Sequence, residues 1–382
     1  MSEAASQFDL ETQPVSSGPD PAWRDGAARP GGGAAGSRLD ADCFGVTLRL
    51  DSEDPDFTAF AARNYRAFLG TPAAQPDEIS AQPGMASTQP DIEVRFGPRA
   101  GAAARARKAA MSRLGMGLRI DADSLYWENA FGFSTLVTPR GDVGFEVLAY
   151  HFDLERERDP DLRARNHQRS LRWALHFPLF HCLGARKGLR LLHASALALG
   201  DQAGDDRALV FCGLNGVGKS TLAAFLARQP GYRFMTDNFL LAGDRSVCGF
   251  PEVLRLDAGA LARLGLVPEG GTTVYGKHHL SLPPEKICLR ADPAAFFLVT
   301  NGPALSLEPL DARDAVRALA GLHAYLGEFP EHAHFAALPL LPAAGPCPGG
   351  DAPILSDRPW YRLSLPLDWR LPDVKELVES CT

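Results

Sequence analysis

An eight-residue segment at positions 213–220 restricts the fold of this chain more than any other part of the sequence. It reads GLNGVGKS and fits the phosphate-loop pattern G-x-x-x-x-G-K-[ST]. The apolar run Ala208–Cys212 before it predicts a buried strand, and the apolar spacing of Leu222, Phe225 and Leu226 after it predicts a helix. The pattern requires this strand–loop–helix order, so we predict an α/β fold around the segment.

The residue types in this segment suit the binding of a nucleoside triphosphate. Glycines allow the backbone to wrap a polyphosphate with its N–H groups pointing inward, and the start of the following helix adds further N–H groups. We expect Lys219 to reach the terminal phosphates and the Ser220 hydroxyl to bind a magnesium ion. The predicted ATP-binding residues are Gly213, Leu214, Asn215, Gly216, Val217, Gly218, Lys219, Ser220 and Thr221.

Two further residues are candidates for the chemistry beside this loop. Asp237 follows a short apolar run, and a carboxylate at a strand end can hold magnesium or accept a proton from an attacking hydroxyl. The alternative is an aspartate that merely turns the chain. His193 lies in the apolar run before the loop strand, where it would orient Asp237 or meet a phosphate oxygen. A histidine in such a strand is also commonly a plain core residue.

Two charged segments further along the chain have alternative interpretations. In the segment PEVLR, Glu252 is a candidate magnesium ligand and Arg255 is a candidate for stabilising the transferred phosphoryl group. An ordinary salt bridge between the two explains them equally well. The segment GKHH at 276–279 either faces phosphate or substrate, or is solvated surface. His332 and His334 have no companion ligands nearby in the sequence, so we assign them no metal.

Composition limits the partners and the compartment. The chain has 382 residues, 45% of them hydrophobic, which permits a full core, and its net charge of −7 argues against nucleic acid as a partner. Its seven cysteines lack C-x-x-C spacing, as is typical of a reducing cytoplasm, and they predict no zinc site. We see neither a signal peptide nor an apolar run long enough to span a membrane. We therefore expect a cytoplasmic protein without a membrane partner, and a homo-oligomer stays open.

The chain divides into three predicted regions. Residues 1–40 are rich in Gly, Ala, Pro and Ser, which predicts a disordered leader. Residues 41–187 predict an N-terminal α+β unit, in which antiparallel strands are followed by a long helical stretch at 164–187. Residues 188–382 predict the domain that contains the phosphate loop. Segments 71–90 and 341–353 predict loops.

These residues in this order resemble the catalytic domain of HPr kinase/phosphorylase over about residues 188–300. That family carries a histidine on the strand before the phosphate loop, then the loop, then an aspartate pair after the next strand. The matching positions here are His193, the loop from Gly213 to Ser220, and Asp237. The family is similar in fold to the ATP-dependent phosphoenolpyruvate carboxykinases. The resemblance implies a P-loop kinase domain of this type, preceded by the α+β unit.

The segments MTDNFLL and FPEVLRL resemble those of HPr-kinase-related proteins that often accompany peptide-modification systems. The resemblance implies ATP- and magnesium-dependent phosphorylation of a serine in a peptide or small protein, with Lys219 on the terminal phosphate and Asp237 as the base. Two departures matter. Asn238 stands where the bifunctional enzymes have a second aspartate, and an amide cannot take a proton as a carboxylate does. The glycine-rich signature beyond the loop is also missing, so we expect neither phosphorylase activity nor HPr as the substrate.

Two other functions stay open on the sequence alone. A kinase for a small molecule would use identical phosphate chemistry. A nucleotide-sensing module would bind ATP to order a partner surface without turnover. A transporter motor is not favoured, because the chain has no LSGGQ-like segment at a helix start.

Overall fold

Two large β-sheets, one in each half of the chain, organise the fold. The computed structural model of the protein describes residues 36–69, 89–115, 118–121, 123–128, 133–141, 144–151, 158–200, 206–250, 252–267, 273–274, 276–280, 282–326, 355 and 357–381. Contacts group Gly36–Thr382 as one compact unit, and all elements below belong to it. Most of the predicted loop at 71–90, the predicted loop at 341–353, His332 and His334, and most of the predicted leader lie outside the described residues.

The first sheet contains eight strands within the described residues, in the spatial order β1-β2-β3-β8-β7-β6-β5-β4. Side chains along β1 and β2 alternate between buried and exposed, as expected for strands with one face on a core. The strands are β1 (Ser37–Cys43), β2 (Val46–Ser52), β3 (Ile92–Phe96), β4 (Ser112–Gly115), β5 (Leu118–Ile120), β6 (Leu125–Glu128), β7 (Phe133–Arg140) and β8 (Gly144–His151).

The structure corrects three expectations for this half. Strand β1 includes residues 37–40 of the predicted leader, because Leu39 begins an alternating apolar face. The sheet is not wholly antiparallel, since β2 pairs with β3 and β3 with β8 in parallel; helix α1 (Pro55–Asn64) supplies the crossover between β2 and β3. Helix α2 (Pro98–Lys108) was not predicted, because only Gly101 and Ala104 are buried and no apolar periodicity marks it.

The predicted helical stretch at 164–187 consists of three consecutive helical segments. Helix α3 (Pro160–Leu171) is followed by a π-helical turn, Arg172–His176, and then by α4 (Phe177–Lys187). Pro178 lies in the first turn of α4, where its missing N–H group is tolerated after the wider π-helical turn. The predicted helical stretch at 164–187 is therefore confirmed, with a π-helical turn inside it.

The second sheet surrounds the strand that enters the phosphate loop. Its path within the described residues is β10-β9-β12-β13-β17-β19-β18; β11 also pairs with β9, and β10 pairs in parallel with β17. The loop strand β10 therefore has a hydrogen-bonded neighbour on each side. The strands are β9 (Arg190–Leu199), β10 (Arg207–Cys212), β11 (Tyr232–Thr236), β12 (Phe239–Ala242), β13 (Val247–Phe250), β17 (Arg290–Asn301), β18 (Ser306–Leu310) and β19 (Trp360–Leu365).

A small third sheet and four helices complete the described part of the second half. The small sheet has the order β14-β16-β15, with β14 (Leu254–Leu256), β15 (Thr273–Val274) and β16 (Lys277–Leu280). The helices are α5 (Lys219–Ala227), α6 (Ala258–Leu264), α7 (Ala312–Leu326) and α8 (Leu371–Glu379). No helix of the described residues is long and apolar enough to cross a membrane. The mixed α/β class is confirmed, and so are the strand and helix around the phosphate loop.

One hydrophobic core joins the two halves of the chain. It contains residues of the first sheet and of α3 and α4, together with Phe239 and Phe250 from the second half. Phe250 is fully buried, and its ring centroid lies 5.2 Å from that of Phe68 and 5.3 Å from that of Phe180. Residues on both sides of the predicted boundary at 187 therefore bury the same apolar surface. The boundary itself stays a prediction.

Replacing Phe250 with alanine should destabilise both halves together. We expect Phe250→Ala to lower the free energy of unfolding by about 3–5 kcal/mol, because it opens a cavity where aromatic rings of both halves meet. Chemical denaturation followed by fluorescence and circular dichroism should show one shared transition at lower denaturant. Leu367→Ala is the control, since Leu367 is 91% exposed and its loss should change stability by less than about 0.5 kcal/mol. Two separate transitions would contradict the shared core.

Candidate functional site

The phosphate-loop segment connects β10 to α5 and has a backbone that requires glycine. Gly213, Gly216 and Gly218 all have positive φ, at 151°, 83° and 98°. A Cβ atom on Gly213 would collide with the carbonyl oxygen of Val299, and one on Gly218 would lie 3.0 Å from the Trp369 ring. The loop is thus packed closely against β17 and the chain before α8.

The start of α5 presents backbone N–H groups to the loop. Gly218 is the N-cap residue and makes no side-chain cap hydrogen bond to the first turn of the helix. The first N–H groups of a helix have no partner within the helix itself, and they carry the positive end of its dipole. This geometry, together with the wrapped loop, is suited to binding an anion.

Lys219 lies across the loop that precedes it. The residue is only 5% exposed, and its Nζ donates hydrogen bonds to the carbonyl oxygens of Gly213 (2.8 Å) and Leu214 (2.9 Å). The ammonium group is therefore held at the loop before any ligand arrives. A phosphate oxygen at this position would replace the carbonyl oxygens as acceptor.

Asp237 and Asn238 interrupt a strand that otherwise follows β9 along its length. Both β11 and β12 pair antiparallel with β9, and these two residues form the link between them. The Thr236 hydroxyl shapes the link, because it accepts a hydrogen bond from the Phe239 N–H (3.1 Å) and donates one to the Phe250 carbonyl (2.9 Å). The sequence TDN thus makes a local turn at the edge of the site.

Asp237 is buried beside the loop, with two serines next to it. Its Oδ1 accepts a hydrogen bond from the Ser195 hydroxyl (2.7 Å). Burial raises the pKa of Asp237; the hydroxyls of Ser195 and Ser220 and the positive charges of Lys277 and Lys219 offset this only in part. Ser220, in the first turn of α5, therefore lies close to the candidate carboxylate.

His193 lies on the strand next to β10, as the sequence predicts. It is 4% exposed, pairs across the ladder with Phe239, and shares a face of β9 with Ser195, two residues on. Its strand position is confirmed, while its role in catalysis stays a prediction. Ser195 was missed, although its spacing from His193 already places the two side chains on one face of the strand.

Glu252 binds nitrogen donors on both of its carboxylate oxygens. Its Oε1 accepts from Gln168 (3.2 Å), and its Oε2 accepts from Asn238 (3.1 Å) and Arg255 (3.0 Å). Burial would raise the pKa of Glu252, but Arg255 and the other donors and charges around it outweigh this, so the pKa is below its usual value. The structure thus shows the salt-bridge alternative. A magnesium ion at Glu252 would have to displace these donors, and that role stays a prediction.

The Glu252 cluster draws on the first half of the chain. Gln168 comes from α3, and His176, in the π-helical turn, has its Nδ1 3.5 Å from Glu252 Oε1. Burial lowers the pKa of His176 to about 4, so this histidine is neutral at neutral pH and its contact is not an ion pair. Neither residue was predicted as part of the site, because no local pattern links positions so distant in the sequence.

The side chains present fit a magnesium–triphosphate complex better than a metal held by protein alone. No group of three or more His, Cys, Asp or Glu residues suited to a metal occurs in the part of the chain that the structure describes. Magnesium commonly binds through one or two protein oxygen ligands, with phosphate and water supplying the others. Ser220 and Asp237, which lie close together beside the loop, provide that kind of partial ligand set.

Known proteins provide no further guide to this site. No protein-family model matches the chain, and no curated protein matches it. The resemblance to HPr kinase/phosphorylase stays a prediction from the motif residues, and the functional assignment depends on the geometry of the site.

An aspartate at position 238 should conflict with Glu252. Asn238→Asp replaces a nitrogen donor with an acceptor facing Glu252 Oε2, so we expect the free energy of unfolding at pH 8 to fall by about 3–5 kcal/mol. The loss should shrink at pH 5, because a proton on either carboxyl group restores a hydrogen-bond donor. Denaturant titrations at both pH values measure this.

The matched control is the double variant Asn238→Asp with Glu252→Gln. The glutamine amide supplies the missing donor, so most of the lost stability should return at pH 8. An equal loss at both pH values, or no recovery in the double variant, would show that the two side chains are not coupled in this way.

Proposed function

We propose that this chain is an ATP- and magnesium-dependent kinase that transfers the γ-phosphoryl group to a serine hydroxyl of a peptide or small protein. One observation carries the proposal: the buried Asp237, held by Ser195, lies close to Ser220 beside a glycine loop already occupied by Lys219. These are the groups that a magnesium–triphosphate and an attacking hydroxyl require together.

The proposal includes the fold of the second half. The order β10, glycine loop, α5, with β17 parallel to β10, supports a P-loop kinase domain at 188–382 of the type found in HPr kinase and phosphoenolpyruvate carboxykinase. A cytoplasmic location is also part of the proposal. It is supported by the cysteines that the structure describes, none of which forms a disulfide.

Each group in the loop has a distinct role in binding. The loop N–H groups and the uncapped start of α5 hold the phosphates, and Lys219 exchanges its two carbonyl acceptors for oxygens of the terminal phosphate. Ser220 and Asp237 are the residues that would hold a magnesium ion. When bound, the ion would neutralise charge on the phosphates.

Asp237 is the proposed general base. It accepts the proton of the serine hydroxyl while the serine oxygen bonds to phosphorus and the bond from phosphorus to the ADP oxygen breaks. Its raised pKa makes it a stronger proton acceptor than an ordinary aspartate, and Ser195 fixes the position of its Oδ1. His193 lies on the same strand face as Ser195. Glu252 holds Arg255 in place, and Arg255 contributes positive charge to the site.

A nucleotide-sensing module is the second candidate, favoured by one observation. Asn238, at the second acidic position of the bifunctional enzymes, donates to Glu252 and so serves the structure around it. A site with a single free carboxylate could bind ATP without turnover. Tight ATP binding with no product from serine peptides or from a metabolite screen would favour this candidate, while a phosphorylated metabolite would indicate a small-molecule kinase.

Replacing Asp237 should separate binding from chemistry. We expect Asp237→Asn to reduce phosphoryl transfer by at least about 10²-fold, because an amide cannot accept the proton, while ATP binding stays largely intact. Mass spectrometry of serine peptides measures transfer, and calorimetric titration with Mg-ATP measures binding. Lys219→Ala is the paired variant and should weaken binding itself. Persistent transfer in Asp237→Asn would remove the base role, and no heat with Mg-ATP in the unsubstituted protein would end the proposal.

The pH dependence of the reaction should report the environment of Asp237. Because its pKa is raised, the acid limb of kcat/KM should lie above the ordinary aspartate value of 3.8, and activity should be lost as the pH falls through that limb. Ser195→Ala should move the limb still higher, since the Ser195 hydrogen bond lowers this pKa. Ser124→Ala is the control, because Ser124 is a buried serine of the first half that bonds to Thr138. An unmoved limb in Ser195→Ala would contradict the assignment.

A further inference from the structure

We propose that the acceptor of this kinase is an acidic peptide segment, bound by a cationic face that extends from Asp237 towards the first half of the chain. The cationic face consists of Lys277, Arg255, Arg63 and Arg172, with His279 between them. This inference rests on the proposed function and names the substrate class of the same site.

The small sheet sets one edge of the cationic face. Arg255 on β14 pairs directly with His279 on β16, and Lys277 lies two residues before His279, so the three side chains share one face of the sheet. Leu254 and Leu256 occupy the opposite face and are 1% exposed, packed in the core. The burial of these leucines fixes which way the basic residues point.

The face reaches Asp237 at one end and α1 at the other. Lys277 is exposed, and its positive charge acts on the buried Asp237. At the far end, burial together with the charges of Arg255 and Arg63 lowers the pKa of His279 to about 4. His279 is therefore neutral at neutral pH, and the surrounding potential is positive.

Arg172 extends the face along the π-helical turn. Its guanidinium carbon lies 5.7 Å from the centroid of the Phe239 ring, and its charge acts on Glu252. Arg172 is partly exposed, and a guanidinium group at a surface donates charge-assisted hydrogen bonds to anionic oxygens.

Among the described residues, the cationic side chains of this face outnumber the carboxylates next to them. Glu252 forms an ion pair with Arg255, and Asp237 lies within reach of the Lys277 charge, so two carboxylates stand against four cationic side chains. The full chain has a net charge of −7, so this concentration of positive charge is not a consequence of composition. A nucleotide at the loop would engage Lys219, whereas Arg63 and Arg172 belong to helical segments of the first half.

The position of the cationic face next to Asp237 indicates which residues flank the acceptor serine. A serine presented to Asp237 places its flanking residues over Lys277 and the small sheet. Carboxylates in those flanking residues form charge-assisted hydrogen bonds with guanidinium groups, and they discriminate against basic sequences by repulsion. The expected acceptor therefore carries Asp or Glu on at least one side of its serine.

Synthetic peptides test this preference directly. Fluorescence anisotropy with the full-length protein, without nucleotide, compares AADDSDDAA, AANNSNNAA and AAKKSKKAA, each labelled at its end. We expect the acidic peptide to bind at least about tenfold more tightly than the neutral one, with the difference shrinking as salt is added. Equal affinity for the three peptides would overturn the proposal.

Charge reversal locates the binding surface. Arg63→Glu should weaken binding of the acidic peptide by about tenfold, because it places a carboxylate on the exposed end of the face. The matched control is Arg66→Glu, since Arg66 is an exposed arginine in the next helical turn with no place in the face. Equal effects of the two substitutions would show a general charge effect and would overturn the location.

Separate measurements distinguish this inference from the function on which it rests. If Mg-ATP gives no heat while the acidic peptide still binds at Arg63, the kinase proposal fails and the anion-binding face stands. If Mg-ATP binds and the neutral peptide is phosphorylated as efficiently as the acidic one, the kinase proposal stands and the acceptor class proposed here is wrong.

Discussion

A buried, ionised carboxylate must be surrounded by hydrogen-bond donors, and the Glu252 carboxylate is buried in this way. Its donors come from three separate parts of the chain: Gln168 in α3, Asn238 between β11 and β12, and Arg255 in β14. Loss of any one would leave charge inadequately solvated in the interior. The first half of the chain and the strands around the glycine loop are therefore bound by a polar requirement as well as by a shared apolar core.

Asp237 and Asn238, the two residues that link β11 to β12, bond to different parts of the molecule. Asp237 is bound by Ser195 and lies close to Ser220 on the side of the loop, while its neighbour Asn238 is bound by Glu252 on the side of the first half. One turn of backbone thus fixes a candidate base and a structural amide in the same step. Through Asn238 and Glu252, the position of Asp237 is therefore linked to Gln168 in α3.

The parts of the fold that follow local rules were predictable, and those that depend on distant pairing were not. The strand, glycine loop and helix around Lys219 follow from spacing alone. The closeness of Ser220 to Asp237 agrees with the expectation that both lie beside that loop. The parallel pairing of β2 with β3 has no such local signature, and α2 lacks an apolar stripe. The bond from Gln168 to Glu252 joins residues 84 positions apart, and a buried glutamine resembles a surface one in sequence.

The contacts of Lys219 in the absence of a ligand have a consequence for which molecules the loop would select. Its ammonium group already bonds to two carbonyl oxygens, so an arriving molecule takes part in an exchange of partners and adds no new cation contact at first. A neutral alcohol or a lone weak acceptor gains little from such an exchange. A chain of linked anionic oxygens gains a great deal, because charged acceptors form stronger bonds than amide carbonyls. In the proposed kinase, discrimination in favour of polyphosphates would therefore begin at this one side chain, before any sugar or base is recognised.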